Sequence, residues 1–227
     1  MIDKSKGTYL SSNWLEPLVS YYKIYFGDTA ENIFDIGTRD GDDAQFLKEM
    51  LNVKNVYAVE ARPEAAQATK ERYPDFTIFE TAISDFSGET EFYEIVSDDA
   101  DYVGSSSIYN NKFERPEYPH KIIKLPVITM NKLIEKNNLS DTIFDIVKVD
   151  IEGFTFQLLC GMHKYIKNVK MFHLETERWS THTTHRNSIE IANVMKSHGF
   201  NLVAKQYQWG EDIEDQIWVN GDLCPKS

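Results

Sequence analysis

Four carboxylates stand at or near the ends of apolar runs of strand length: Asp35 within Asn32 to Ile36, Glu60 after Asn55 to Val59, Asp150 after Ile143 to Val149, and Glu175 after Lys170 to Leu174. Strands of a parallel sheet bring their carboxyl ends to one rim, so the four acids are expected to share a crevice, the place where open α/β sheets bind ligands. The first acid leads into Gly37-Thr38-Arg39-Asp40-Gly41, and Phe46, Leu47, Met50 and Leu51 then recur at helical spacing. A strand that breaks into a glycine turn before a helix presents backbone N–H groups and the positive helix end to a ligand. Glycine lets that ligand approach the backbone. Arg39 occupies the place of the middle glycine of a dinucleotide fingerprint, the residue that admits a pyrophosphate. The spacing therefore points to a nucleotide-type cofactor that lacks one, and S-adenosyl-L-methionine is such a molecule. Glu60 comes nineteen positions after Gly41, close to the roughly 20 at which these folds place an acid for the ribose hydroxyls. A plain strand-to-helix turn shares the outline of the loop, and a solvated edge charge explains any one acid. Their order along the chain is the specific signal.

Around these acids the chain alternates strand-like and helix-like segments, with no repeat and no low-complexity linker. Leu15, Leu18, Val19, Tyr22 and Phe26 line one face of a helix opening at Asn13, and Pro63 starts a helix that runs to Arg72. Phe76 to Phe79 reads as a short strand, and Glu89 to Ile95 alternates as a half-buried strand does. Residues 98–120 are the least regular stretch and read as a long functional loop. After Asp150-Ile151-Glu152-Gly153, a helix is expected to bury Leu158, Leu159, Met162 and Ile166. Asn187 and Ser188 cap another that carries Ile189, Ala192 and Met195 and stops at Gly199. Phe200 to Lys205 and Asp215 to Val219 close the fold as a hairpin about Trp209-Gly210. The organisation expected is a helical extension over 1–31 followed by one α/β domain over 32–227.

A chain of 227 residues, 41% of them hydrophobic, suits one α/β core and is short for two. Its formal charge of −12, with a pI near 4.9 and no cluster of Lys and Arg, argues against a sequence-independent grip on nucleic acid. The partner is expected to be small or uncharged. Cys160 and Cys224 are too few for a disulfide scaffold and lack metal-ligand spacing. Met1-Ile2-Asp3-Lys4 has no signal-peptide core and no stretch is apolar enough to span a bilayer, so the expected location is the cytoplasm. Oligomeric state is left open.

Five ordered blocks carry a family resemblance: Asp35-Ile36-Gly37-Thr38-Arg39-Asp40-Gly41, Val59-Glu60-Ala61-Arg62-Pro63, Ala82-Ile83-Ser84-Asp85, Leu125 to Leu133, and Val147-Lys148-Val149-Asp150-Ile151-Glu152-Gly153. Together they resemble the FkbM-type S-adenosylmethionine-dependent methyltransferases over about Ile33 to Val219. The resemblance implies a class I methyltransferase fold: a Rossmann-like, seven-stranded, mostly parallel sheet with helices on both faces and its last strand antiparallel. It implies O-methylation of a hydroxyl on a sugar, a glycan or a small natural product. By motif match, Asp35, Gly37, Thr38, Arg39 and Gly41 line the methionine end of the cofactor. Glu60, with Ala61 and Arg62, faces the ribose. Ala82, Ile83, Ser84 and Asp85 form the adenine edge, and Asp150 completes the set. Arg39 replaces the Asn common in the family, and Ala61 the usual Pro.

A sulfonium methyl is already activated, so the protein has to align an acceptor oxygen with it and remove a proton. Asp150 is the first choice for that base, with His173 and Glu175 as alternatives, while a helix-capping acid or a core histidine would account for the same residues structurally. His182 and His185 offer a further base from a loop. Asp150 and Glu175, with Glu152 or Glu177, carry hard oxygen ligands that could hold Mg²⁺ and acidify a bound hydroxyl, although no dedicated metal motif accompanies them. Tyr102, Tyr109, Phe113, Tyr118, Trp179 and Trp209 could form an aromatic wall against a sugar face. Two rival classes use the same architecture. A nicotinamide oxidoreductase is disfavoured by the missing middle glycine and the lack of a Tyr-x-x-x-Lys pair, and a non-catalytic binding protein would keep the cofactor site alone. A nucleic-acid base methyltransferase would need an Asn/Asp-Pro-Pro-Tyr-like motif where this chain has Asp-Ile-Glu-Gly.

Overall fold

Val147, Lys148 and Val149 lie in the strand that organises the molecule. The structure is a computed structural model, and it describes residues 12–97, 106–108, 119–177, 186–207 and 213–225. In chain order the elements are helix α1 (Ser12–Phe26), β1 (Asn32–Ile36), α2 (Asp42–Leu51), β2 (Asn55–Glu60), α3 (Pro63–Arg72), β3 (Thr77–Glu80), β4 (Ala82–Ile83), β5 (Gly88–Ile95) and β6 (His120–Ile128). They continue with α4 (Met130–Lys136), β7 (Phe144–Val149), α5 (Thr155–Gly161), β8 (Val169–Glu177), α6 (Ser188–Ser197), β9 (Phe200–Tyr207) and β10 (Ile213–Asn220). Seven strands form one sheet in the order β3-β2-β1-β7-β8-β10-β9. β1 pairs in parallel with β2 and β7, and β7 with β8, whereas β10 runs antiparallel to both β8 and β9. The expected class I sheet with an antiparallel last strand is therefore present.

Every residue of β7 is buried, as a strand covered on both faces must be. One face packs Phe34, Phe144, Phe172, Phe200 and Trp218 beneath α4, α5 and α6. The other packs Ile33, Ile146 and Met171 beneath Leu15, Leu18 and Tyr22 of α1 and Leu47 and Leu51 of α2. α1 is tied down by a buried acid as well: Asp145 accepts from the Tyr22 hydroxyl at 2.6 Å, Lys170 Nζ at 2.6 Å, and the Glu31 and Asn32 amides at 2.7 and 2.8 Å.

Local signals explain the element ends. Pro63 stands in the first turn of α3, where its missing N–H costs nothing. Asn187 and Glu190 form a reciprocal capping box on α6. One expectation needs correction, the extent of the helix after Asp150, and three further details go beyond the sequence reading. Met50 is 41% exposed and Ile189 69% exposed, because the buried helix positions are Ala44, Leu47 and Leu51 in α2, and Ile191 and Met195 in α6. The helix after Asp150 ends at Gly161, so Met162 and Ile166 reach the core from a turn and a short 3-10 segment. The alternating segment at Glu89 belongs to a separate three-stranded sheet, β4-β6-β5, built beside the main one. Among the described residues no helix is long and apolar enough to cross a membrane.

Candidate active site

Side chains alternate across a strand, so residues two apart share a face. Ile33, Ile146 and Met171 face α1 and α2, and two positions on, Asp35, Lys148 and His173 face the same way. The register pairs Asp35 with Lys148 and Lys148 with His173, so the apolar face becomes a polar row at the carboxyl end of the sheet. Lys148 is the centre of that row. Its side chain is 5% exposed, and its Nζ lies 3.4 Å from Asp35 Oδ1, 3.0 Å from Asp43 Oδ2 and 3.6 Å from Asp150 Oδ2. Burial disfavours the ammonium, but the three carboxylates outweigh it and hold Lys148 charged well beyond its ordinary range.

Asp35 is fully buried, and burial pushes its carboxyl pKa up against the pull of Lys148. Its Oδ2 accepts from the Thr38 hydroxyl at 2.6 Å. Above it, the loop uses most of its own amides. Gly37 and Thr38 both donate to the Val59 carbonyl at 3.0 Å, Arg39 donates to Glu60 Oε2 at 2.9 Å, and Gly41 donates to the Thr38 carbonyl at 3.0 Å. A loop whose amides turn inward is no cradle for a pyrophosphate, in agreement with the spacing argument. The glycines answer to the chain's own packing. A Cβ on Gly37 would stand 1.7 Å from the Asp150 carbonyl oxygen, and one on Gly41 would meet the Tyr73 ring at 2.7 Å; both residues have positive φ, at +85° and +82°. Gly37 thus lets the first loop close onto the segment that carries Asp150, whose amide donates to the Ile36 carbonyl at 2.9 Å.

Glu60 ends β2 under the same loop. Besides Arg39, it accepts from the Arg62 amide at 2.9 Å and from Arg62 Nε at 3.2 Å, and it is 5% exposed. Burial raises its pKa, opposed by the Arg62 charge and these hydrogen bonds. The Glu60 carbonyl accepts from the Thr81 amide at 3.1 Å, which joins the end of β2 to β4. There Ala82, Ile83 and Ser84 are buried, and Asp85 is exposed beyond them. A Cβ on Gly161 of α5 would come within 2.4 Å of the Ser84 carbonyl, so α5 packs directly against this edge. Ala61 is partly exposed between Glu60 and Arg62.

On the other side of Asp150, the carboxylates of Asp150, Glu152 and Glu175 offer oxygens within 4.8 Å of one another. Glu177 is outside that group among the described residues, and it lines a small recess with Gly153, Thr155, Thr176 and Arg186. Burial pushes Glu175 well up, and Asp150, Glu152 and Asp215 add to the shift, which favours the neutral acid. Glu152 holds a left-handed backbone at φ +48°, and its carbonyl accepts from the Ser107 hydroxyl at 2.8 Å. Burial and then the Lys148 charge push His173 down to about 4, so its imidazole is neutral at pH 7. Neither of its ring nitrogens has a hydrogen-bond partner among the described residues. The expected convergence is therefore real for Asp35, Asp150 and Glu175, while Glu60 belongs to the flank of the loop. Tyr102, Tyr109, Phe113, Tyr118, Trp179, His182, His185 and Trp209 lie outside the described residues. Lys148 and Asp43 carry the array and were not among the expected site residues. The signal for Lys148 was a charged side chain inside an apolar strand run, which must find partners when buried, whereas Asp43, in the first turn of α2, carried none.

The profile of the Methyltransferase FkbM domain matches residues 35–202. Among solved structures, the chain is similar to the N-methyltransferase NodS of Bradyrhizobium japonicum in complex with S-adenosylhomocysteine, with a TM-score of 0.54 at 11% identity over 93% of this chain and 88% of that one. Magnesium protoporphyrin IX methyltransferase of Synechocystis with bound S-adenosylhomocysteine gives 0.54 at 8% identity over 92% and 83%. TrmK of M. capricolum gives 0.51 at 9% identity over 91% and 69%. Such identities establish the shared fold. A comparison with curated protein sequences gives no match.

Proposed function

The chain belongs to the FkbM methyltransferase family, and on that premise we propose that it transfers the methyl group of S-adenosyl-L-methionine to a hydroxyl oxygen of a sugar, a glycan or a small natural product. The carrying observation is the division of labour among the acids. Asp35 is sealed beneath the loop, Glu60 closes its flank, and Asp150, with a side chain 38% exposed, is the acid of the Lys148 array most open to the rim. The residues present fit the cofactor: Glu60 is an acceptor for ribose hydroxyls, Asp85 lies at the edge of β4, and the inward-turned amides suit a ligand without pyrophosphate. The cofactor supplies an activated methyl on a sulfonium.

The chain's own work is alignment and proton removal. Holding two reactants in line is worth about 7–11 kcal/mol. A positioned base adds roughly a hundredfold to ten-thousandfold. Bound here, the cofactor would supply the methyl carbon and leave with the sulfur's electron pair, and Asp150 would take the proton of the acceptor hydroxyl and pass it to solvent. Lys148 beneath it keeps a compensating charge in place before and after that transfer. The net charge of −12 favours a neutral acceptor over nucleic acid.

The test is calorimetric binding of S-adenosylhomocysteine, followed by methyl-labelled cofactor with a panel of sugars, glycans and small hydroxyl compounds. Binding with label on oxygen supports the assignment, and absence of binding refutes it. Asp150, Glu152 and Glu175 have the ligand chemistry for Mg²⁺, so each assay is run with and without EDTA. Activity abolished by the chelator and restored by Mg²⁺ assigns them a metal, and unchanged activity leaves Asp150 as the base. Fluorescence of added NADH addresses the oxidoreductase reading, which predicts binding of that nucleotide instead.

A further inference from the structure

Lys148 lies in a strand whose six residues are all buried, where a lysine is tolerated only with charged or polar partners. Its partners come from three separate segments. Asp35 precedes the glycine loop, Asp43 is in the first turn of the helix that follows the loop, and Asp150 is the acid beyond β7. One ammonium therefore bridges both ends of the loop from beneath and reaches the acceptor side of the crevice. The side chains grade from closed to open, with Asp35 at 0% exposure, Asp43 at 23% and Asp150 at 38%. We propose that Lys148 is the positioning residue of this site, the group that fixes the cofactor loop and Asp150 relative to one another. The proposal rests on the methyltransferase reading above.

A side chain that merely filled space here would be replaced by methionine at little cost. A charge that holds three carboxylates together leaves them repelling one another when it is removed, and the loop and Asp150 then separate. Displacements of about 1 Å at a reacting centre cost on the order of a hundredfold. The same logic makes the effect of Lys148 depend on its partners: neutralising one carboxylate should relieve the loss of the ammonium.

The experiment is a double-mutant cycle read by calorimetric binding of S-adenosylhomocysteine, with thermal melts of the ligand-free proteins. K148M is expected to weaken binding by at least about tenfold, and K148M/D43N to recover at least about threefold of that loss, although D43N alone brings no gain. K148R, which keeps the charge, is expected to stay within about fivefold of the parent. A folded K148M that binds within about twofold of the parent overturns the proposal, and so does a D43N change that adds its own loss to that of K148M. If K148M does not fold, K148R decides: a folded K148R weakened more than about tenfold, or a K148R that does not fold either, assigns Lys148 to the fold alone. A parent protein that does not bind S-adenosylhomocysteine overturns the methyltransferase reading and this proposal together, whereas a binding parent with a flat cycle overturns this one only.

Discussion

Replacing Glu60 by glutamine changes one atom and tests the site where its geometry is tightest. The carboxylate accepts three donors: the Arg39 amide on Oε2 at 2.9 Å, and on Oε1 the Arg62 amide at 2.9 Å and Arg62 Nε at 3.2 Å. Whichever way a glutamine side chain turns, its NH₂ faces one of these N–H groups. A buried donor left without an acceptor costs about 1–3 kcal/mol. For a domain of this size each kcal/mol lowers the melting temperature by about 2–4 °C, so the ligand-free Glu60→Gln protein should melt about 2–12 °C below the parent. Its cofactor affinity should fall further, because a ribose hydroxyl donating to a carboxylate loses a charge-assisted bond worth about 1.5–3 kcal/mol. At 1.4 kcal/mol per factor of ten, that is about 10- to 150-fold in the dissociation constant of S-adenosylhomocysteine. Calorimetry and thermal melts measure the two effects separately. A folded variant with unchanged melting that binds within about twofold of the parent would remove Glu60 from the site and with it the ribose assignment.

Gly37→Ala should be severe: a Cβ would press on the Asp150 carbonyl at 1.7 Å in a left-handed backbone, and overpacking with strain of this kind costs about 3 kcal/mol or more, so both melting temperature and S-adenosylhomocysteine binding should drop. Normal binding by this variant would show that the first loop and the Asp150 segment need not touch. Asp150→Asn should lower methyl transfer about a hundredfold to ten-thousandfold while cofactor affinity changes less than tenfold, measured once an acceptor is found; an equal loss in both would make Asp150 a binding residue and not a base. Asp145→Asn should cost about 3–5 kcal/mol, because a buried ion pair loses one partner. The expected fall in melting temperature at pH 7 is about 6–20 °C. Burial raises the pKa of Asp145, but its bonds from Lys170, Tyr22 and the Asn32 and Glu31 amides win and hold it below the usual carboxylate range. Its contribution is therefore full above the unfolded value of about 3.9 and is lost as pH falls through the lower folded value. The melting curves of parent and variant should converge in that acid window, and a gap that persists below it would contradict the assignment.

The parts legible in the sequence were those written locally. Short apolar runs gave β1, β2 and β7, Pro63 gave the start of α3 to the residue, and Asn187 gave the cap of α6, which Glu190 completes in the structure. The seven-stranded, mostly parallel sheet with its antiparallel last strand was implied by the family resemblance of the five blocks, and the apolar pattern by itself carries no strand order. What the pattern could not give was anything decided by a distant neighbour. Glu89 to Ile95 alternates correctly for a strand, yet only pairing with β6 places it in a second sheet. Met50 and Ile189 stand at helical spacing and still face solvent, since an apolar residue on a helix has no obligation to be buried. Gly37 and Gly41 were read as positions kept clear for a ligand, and what the pattern did not show is that protein atoms of Asp150, Ile151, Tyr73 and Thr69 already forbid a side chain there.

The same distinction separates the acids. From sequence, Asp35, Glu60, Asp150 and Glu175 are equivalent, each a carboxylate near a strand end. In the fold they differ by what compensates them. Glu60 is held by hydrogen bonds from one neighbouring loop and by Arg62. Asp35 and Asp150 share Lys148 with Asp43. Glu175, crowded by Asp150, Glu152 and Asp215, favours its proton. One buried ammonium serves three carboxylates, and negative charge among them is best tolerated where water reaches it. Asp150 is the most exposed of the three, with a side chain 38% exposed. A carboxylate open to the rim, with an ammonium 3.6 Å beneath it and an acid that burial drives toward its protonated form beside it, has the placement required of a group that takes a proton from a hydroxyl. The proposed base role thus leans on the residues placed around Asp150 more than on Asp150 itself, and this is why a strand lysine between two valines carries as much information about the proposed reaction as the acids do.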